Sequence, residues 1–342
     1  MRHRLTRREL LGRGAGLAGA ALGAVAATPG LSPAWLISRG RLGGPAAAAA
    51  QSALGRWVTR ASLPFARTEV SVAALGGKMY LIGGYAHGRV DHPFNQEYDP
   101  AADRWRDLAP MPRGLNHVGV IGVNGRIYAF GGFIQQNRNA IADAFEYDVA
   151  ANRWRMIRSL PAKRGAMSVA ELAGKLHLVG GRDETSVGAH DVYDPATDTW
   201  AQRAPLPEGR DHLGLVIVAG RIHAIGGRFN TFANNTNLHH VYDHQTDSWQ
   251  TRAPLPTPRS GVAAALLAGR IFVFGGETTG KVFSENEAYN PATDRWTVMA
   301  SMRTARHGTG AAVLGNTVYI AGGGLTVGGS QPSTANEAFS LS

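Results

Sequence analysis

Residues 260–300 read SGVAAALLAGRIFVFGGETTGKVFSENEAYNPATDRWTVMA, and this stretch decides the fold. Ser260 to Leu267 is a strand of small apolar residues and Ala268-Gly269 a tight turn. Arg270 to Phe274 is an alternating strand that runs into Gly275-Gly276. A loop leads to Glu287–Asn290, then comes the turn Pro291-Ala292-Thr293-Asp294, and Trp296 to Ala300 makes a fourth strand. A glycine pair lets two backbones approach where a Cβ would intervene, and Pro, Thr and Asp suit a sharp reversal.

The pattern recurs along the chain. A Gly-Gly pair stands at 83–84, 131–132, 180–181, 226–227, 275–276 and 322–323, in steps of 46 to 49 residues. Trp keeps the same beat at 57, 105, 154, 200, 249 and 296, and Tyr at 98, 147, 193, 242 and 289, with Phe339 in the last repeat. Self-similarity at this period outweighs any local reading. The Gly pair with this Tyr and Trp spacing resembles the kelch repeat, from about residue 56 to 342, in six in-phase copies. The resemblance implies an all-β, six-bladed propeller of four-stranded sheets. With strands a to d counted outward from the channel, Trp57 to Ser62 is a d strand without its own a, b or c. Asn336 to Leu341 is a c strand without a d. The N-terminal strand is therefore expected to close the last blade.

Residues 1–50 stand apart. Met1 to Arg8 is basic, and Thr6-Arg7-Arg8-Glu9-Leu10-Leu11 opens a weakly apolar, Gly- and Ala-rich run to Ala27. This resembles a twin-arginine export signal, which implies a periplasmic or extracellular protein exported after folding. Small residues suit cleavage after Ala26 or Ala27, or within Ala46–Ala50. The later site is preferred because repeat sequence starts at about Arg56. Residues 51–342 are then the propeller.

The net charge of +10 misleads, because residues 1–50 hold seven Arg against Glu9. The remainder has 28 basic and 24 acidic residues, too even for a nucleic-acid face. Past the leader, no apolar run is long enough to span a bilayer. With no Cys the chain has no disulfide, lipid-anchor or thiolate chemistry, and lacks the Cys–Tyr cofactor of copper-radical oxidases that carry similar propellers. No cofactor is expected. No metal is expected either, since His87, Asp91 and His92, and likewise His239 and His240, lack a recognised ligand spacing.

Antiparallel order puts the d–a and b–c loops on one face, and the b–c loops differ from blade to blade, so that face is assigned to the ligand. Arg67, Arg164, Arg210, Arg259 and Arg306 each stand 16 residues before the first Gly of their pair, while blade two has Leu115 there and Arg113 two places earlier. A ring of guanidinium groups at the channel mouth would suit a carboxylate. The same arginines also belong to the general repeat pattern, where they would only bond loop carbonyls. Next to them the blades differ: Glu69, His117 and His212 are candidate acid/base residues, and Asp211 and His307 candidate ligand contacts. Three functions fit. The first is an exported binding protein, expected to be a monomer, that recognises a protein or carbohydrate. The second is an enzyme of sugar-acid mutarotase or epimerase type, by analogy of fold alone. The third is a structural component of the envelope.

Overall fold

The computed structural model describes residues 54–341, so the leader at 1–50 lies outside the described residues. The described chain is an all-β, six-bladed propeller. Blade one is Ser71–Leu75, Lys78–Ile82, Asn95–Asp99 and Arg104–Asp107, each strand pairing antiparallel with the next. Blades two to five repeat this order, and blade five runs Ala263–Leu267, Arg270–Phe274, Asn286–Asn290 and Arg295–Val298. Its first strand is shorter than expected, because Ser260 and Gly261 are drawn into the channel mouth described below. In blade six, Ala312–Leu314, Thr317–Ala321 and Asn336–Ser340 are joined by Arg56–Thr59, with Trp57 opposite Phe339.

The core lies in the seams between blades. One cluster joins Ala73, Tyr80 and Ile82 of blade one to Ile127, Ala129, Phe145 and Tyr147 of blade two. Burial of each such large side chain contributes about 1.5–3 kcal/mol. Every seam also carries the same indole bond. Trp105 Nε1 donates to Ala61 O, Trp154 to Ala109 O, Trp200 to Arg158 O, Trp249 to Ala204 O and Trp296 to Ala253 O. At the closing seam Trp57 Nε1 donates to Ala300 O at 2.8 Å. Below each of the other five indoles the Tyr hydroxyl donates to the Asp or Asn two residues before the Trp, as Tyr242 does to Asp247 at 2.7 Å. That carboxylate also accepts the Ala204 N–H of the neighbouring blade. The Tyr–Trp spacing in the sequence is thus a seam motif.

Candidate functional site at the channel mouth

The residue between the Arg register and strand a adopts the left-handed conformation in every blade: Glu69, His117, Ala166, His212, Gly261 and Gly308 have φ of 50° to 65°. His117 N–H donates to Glu69 O, Ala166 to His117, His212 to Ala166, Gly261 to His212 and Gly308 to Gly261, and Val70 N–H completes the circle on Gly308 O. The result is a hydrogen-bonded collar around the axis. Non-glycine residues at such φ cost about 1–3 kcal/mol each and cluster at functional sites. Glu69, His117 and His212 spend that cost on long polar side chains, whereas Ala166, Gly261 and Gly308 leave room for them.

Above the collar lies a cavity of about 240 Å³. Glu69 and His117 form part of its wall, and all its other lining residues come from b–c loops: Tyr85, Gln136, Asn137, Arg182, Arg228, Asn230, Thr231, Phe232, Glu277 and Gly328. Below the collar is a bore lined largely by small apolar residues such as Val72, Val120, Val169, Ala264 and Ala311.

The polar network at the mouth is dense. Arg228 donates to Asp211 Oδ1 at 3.0 Å, to Glu277 Oε1 at 2.8 Å and to His212 Nε2 at 2.9 Å. His212 Nδ1 bonds Asp211, and His117 Nε2 lies 3.0 Å from Glu69 Oε2. His307 Nε2 faces Thr326 O at 3.0 Å. Burial, then the Arg228 charge, lowers His212 to about 4 against the pull of Asp211, so its ring is neutral at pH 7. Burial pushes the Glu69 carboxyl up, but His117, with help from His307 and His212, more than offsets this and holds it below the usual carboxylate range. Glu69, His117, His212, Asp211 and His307 therefore belong to one cluster.

The register arginines do not join them. All five are buried, and none lines the cavity. Arg67, Arg210 and Arg259 donate to the carbonyl of Gly83, Gly226 and Gly275, each 16 residues on. Arg210, Arg259 and Arg306 also reach Ala224 O, Val273 O and Ile320 O. Arg164 faces Asp191 at 2.7 Å, and Arg259 and Arg306 pair with Glu287 and Glu337. The 16-residue spacing thus ties the side chains of Arg67, Arg210, Arg259 and Arg306 to the end of their own b strand. The arginine carbonyl meanwhile accepts an N–H from the second Gly of the preceding blade, as Arg210 O does from Gly181 at 3.0 Å. A Cβ on Gly180 would lie 2.4 Å from that same oxygen, which is why glycine stands there. The arginines of the expected ring are buried within their blades, the alternative that the sequence also offered. Arg113 is exposed and pairs with Asp143 at 2.8 Å, away from the cavity.

A family model of the Kelch motif matches residues 66–112, 115–161 and 258–303, which fall on blades one, two and five. Blades one, two and five carry Kelch motifs. No curated protein sequence matches the chain. Among solved structures, the one described as "Structure of YjhT" superposes with a TM-score of 0.71 at 17% identity, covering 80% of this chain and 95% of that one. At that identity the likeness shows the fold alone.

Sequence reasoning missed Arg228, Glu277, Arg182 and Tyr85 as individual site residues of this propeller. Each directly follows a Gly pair, and the residues at that place are Tyr85, Phe133, Arg182, Arg228, Glu277 and Gly324. Each bridges to the residue just before the collar, as Arg228 does to Asp211. The variation at this one repeat position was the available signal.

Proposed function

We propose that this kelch propeller is an exported binding protein that takes a single sugar unit of a glycan into the cavity above the collar. The observation that carries the reading is the cavity wall itself. Six b–c loops converge there with Gln136, Asn137 and Asn230 as amide partners and Tyr85 and Phe232 as aromatic surfaces. Sparse, placed polar groups with aromatic faces are what small polar ligands require. A protein partner is the second reading. Its support is an exposed aromatic stack at the rim of the same face, where Phe65 packs on Phe94 at 5.4 Å and Phe94 on His92 at 4.7 Å.

The mutarotase or epimerase reading took its carboxylate anchor from the register arginines, which are fastened inside the blades. The two arginines that do line the cavity are also engaged. Arg182 donates to the carbonyls of Asp183, Glu184 and Asn230, and Arg228 is held by two carboxylates.

The test is binding of a neutral and acidic glycan panel to the wild-type chain and to Phe232→Ala and Gln136→Ala. Saturable binding of one glycan class, weakened at least tenfold by either variant, is expected. Glycan binding that ignores both variants would move the site elsewhere. Absence of any glycan binding, with a partner protein lost on Phe65→Ala, would favour the second reading.

A further inference from the structure

Three donors meet at the collar. One ligand atom each from Glu69, His117 and His212 lies within 4.8 Å of the others. The hydrogen bonds behind them fix which nitrogen each ring presents. Asn116 Nδ2 donates to Asp91 Oδ1 at 2.6 Å and to Phe133 O at 3.2 Å, so Asn116 Oδ1 is left to accept from His117 Nδ1–H. Asp211 likewise accepts from His212 Nδ1–H. His212 therefore turns an Nε2 lone pair toward the axis, and the neutral form of His117 does the same, each oriented by an acceptor behind it in the manner of metal-ligating histidines.

The Glu69–His117 contact then asks for a cation. With the His117 ring neutral, its Nε2 lone pair and Glu69 Oε2, 3.0 Å apart, are two acceptors that a cation between them would satisfy; with the ring protonated, the same contact is an ion pair. Ligands about 2 Å from a metal ion stand roughly 3 Å apart in its coordination sphere. His307 gives a second, independent sign. Its Nε2 is engaged with Thr326 O, and its Nδ1, fully buried and without a hydrogen-bond partner, lies 3.5 Å from Glu69 Oε1. The orphaned atom points at the same carboxylate.

We propose that Glu69, His117 and His212 bind a divalent first-row transition metal at the collar, with His307 Nδ1 beside the carboxylate as a further donor. Two imidazoles and a carboxylate suit zinc and its neighbours rather than calcium or magnesium. Arg228 Nη2 donates to His212 Nε2 in this structure, so metal binding requires the guanidinium to withdraw from that nitrogen. Open coordination positions would face the cavity. The site does not depend on which ligand the cavity takes.

The full untagged chain, stripped with chelator, is titrated with Zn²⁺ and its metal content measured after dialysis. One equivalent is expected, with a Zn²⁺-dependent rise in melting temperature. Glu69→Gln and His117→Ala should each weaken binding at least tenfold, and Asp211→Asn, acting from behind His212, about 10–100-fold. His87→Ala, distant in the blade-one loop, should change nothing. Co²⁺ added to the unaltered chain should give the visible bands of a four- or five-coordinate ion, a reading that needs no folded variant. The proposal is overturned by no stoichiometric binding, by binding that survives Glu69→Gln and His117→Ala, or by a Co²⁺ spectrum no different from the hexaaquo ion.

Discussion

Arg259 shows how one residue type can be read two ways. Its guanidinium serves Gly275 O, Val273 O, Thr257 O and Glu287, so removing it leaves a buried carboxylate without its counter-charge. Arg259→Met should therefore cost about 3–5 kcal/mol, read as a lower denaturant midpoint. Ligand binding by whatever remains folded should be intact, and a full-stability variant with lost binding would restore the anion-site view. The arginine register was legible in the sequence, but its role was not, because a 16-residue interval has meaning only once the end of the b strand is placed. Buried histidines supply a second prediction. His177 Nδ1 bonds His190 Nε2 at 2.8 Å, and His223 Nδ1 bonds His239 Nε2 at 2.9 Å. Burial lowers His177 and His239 to about 3, and His190 and His223 to about 4. These folded values lie below the unfolded one, so the unfolded chain binds more protons as the pH falls. Stability is then full above about pH 6.5 and declines toward pH 4, by about 2 kcal/mol per histidine at pH 5. Blade five carries Phe272 and Asn286 in the corresponding places, so His223→Phe with His239→Asn should shrink the loss between pH 7.5 and 5 by about 4 kcal/mol. Equal losses in both proteins, measured by urea midpoints, would show that these rings do not control acid stability.

At the scale of the strand, the edge made by Arg56–Thr59 is the most exposed test of the architecture. It pairs only with Asn336–Ser340 on one side, and Trp57 packs on Phe274 and Phe339. Deleting residues 54–59 removes the pairing, the closing indole bond and part of the seam between blades five and six. The whole propeller should melt at a clearly lower temperature in calorimetry, and an unchanged melt would show that this strand contributes nothing. The same seam explains the departure of Phe339 from tyrosine. Elsewhere the Tyr hydroxyl needs the Asp or Asn two places before the Trp, but at Trp57 that place is Gly55, whose added Cβ would lie 2.4 Å from the Phe339 ring. Hydroxyl and carboxylate are both missing, and both absences stand in the sequence. Strand order and seams were legible because the repeat states them six times. The cavity was less so, since each b–c loop is written once, and only their folding over the axis brings Arg228 to Glu277 of the next blade.

For the molecule as a whole, the collar divides a loop-lined cavity from a bore lined by the innermost strands, and the face that carries the cavity is built from the variable loops. The proposed export rests on the leader, which lies outside the described residues. Arg7→Lys combined with Arg8→Lys should leave the protein in the cytoplasm of a bacterial host with its leader uncut, as fractionation and mass would show. Delivery of that double variant across the membrane would sink the proposal. The seam at Trp57 has a further consequence, for the order of folding. Its indole bonds a carbonyl 243 residues away, and its strand pairs with residues near the end of the chain. Contacts of such sequence separation form slowly, after local hairpins have already settled. The ribosome releases Arg56–Thr59 early, yet this strand must wait unpaired until Asn336–Ser340 has been synthesised. The first strand made is the last to find its partner.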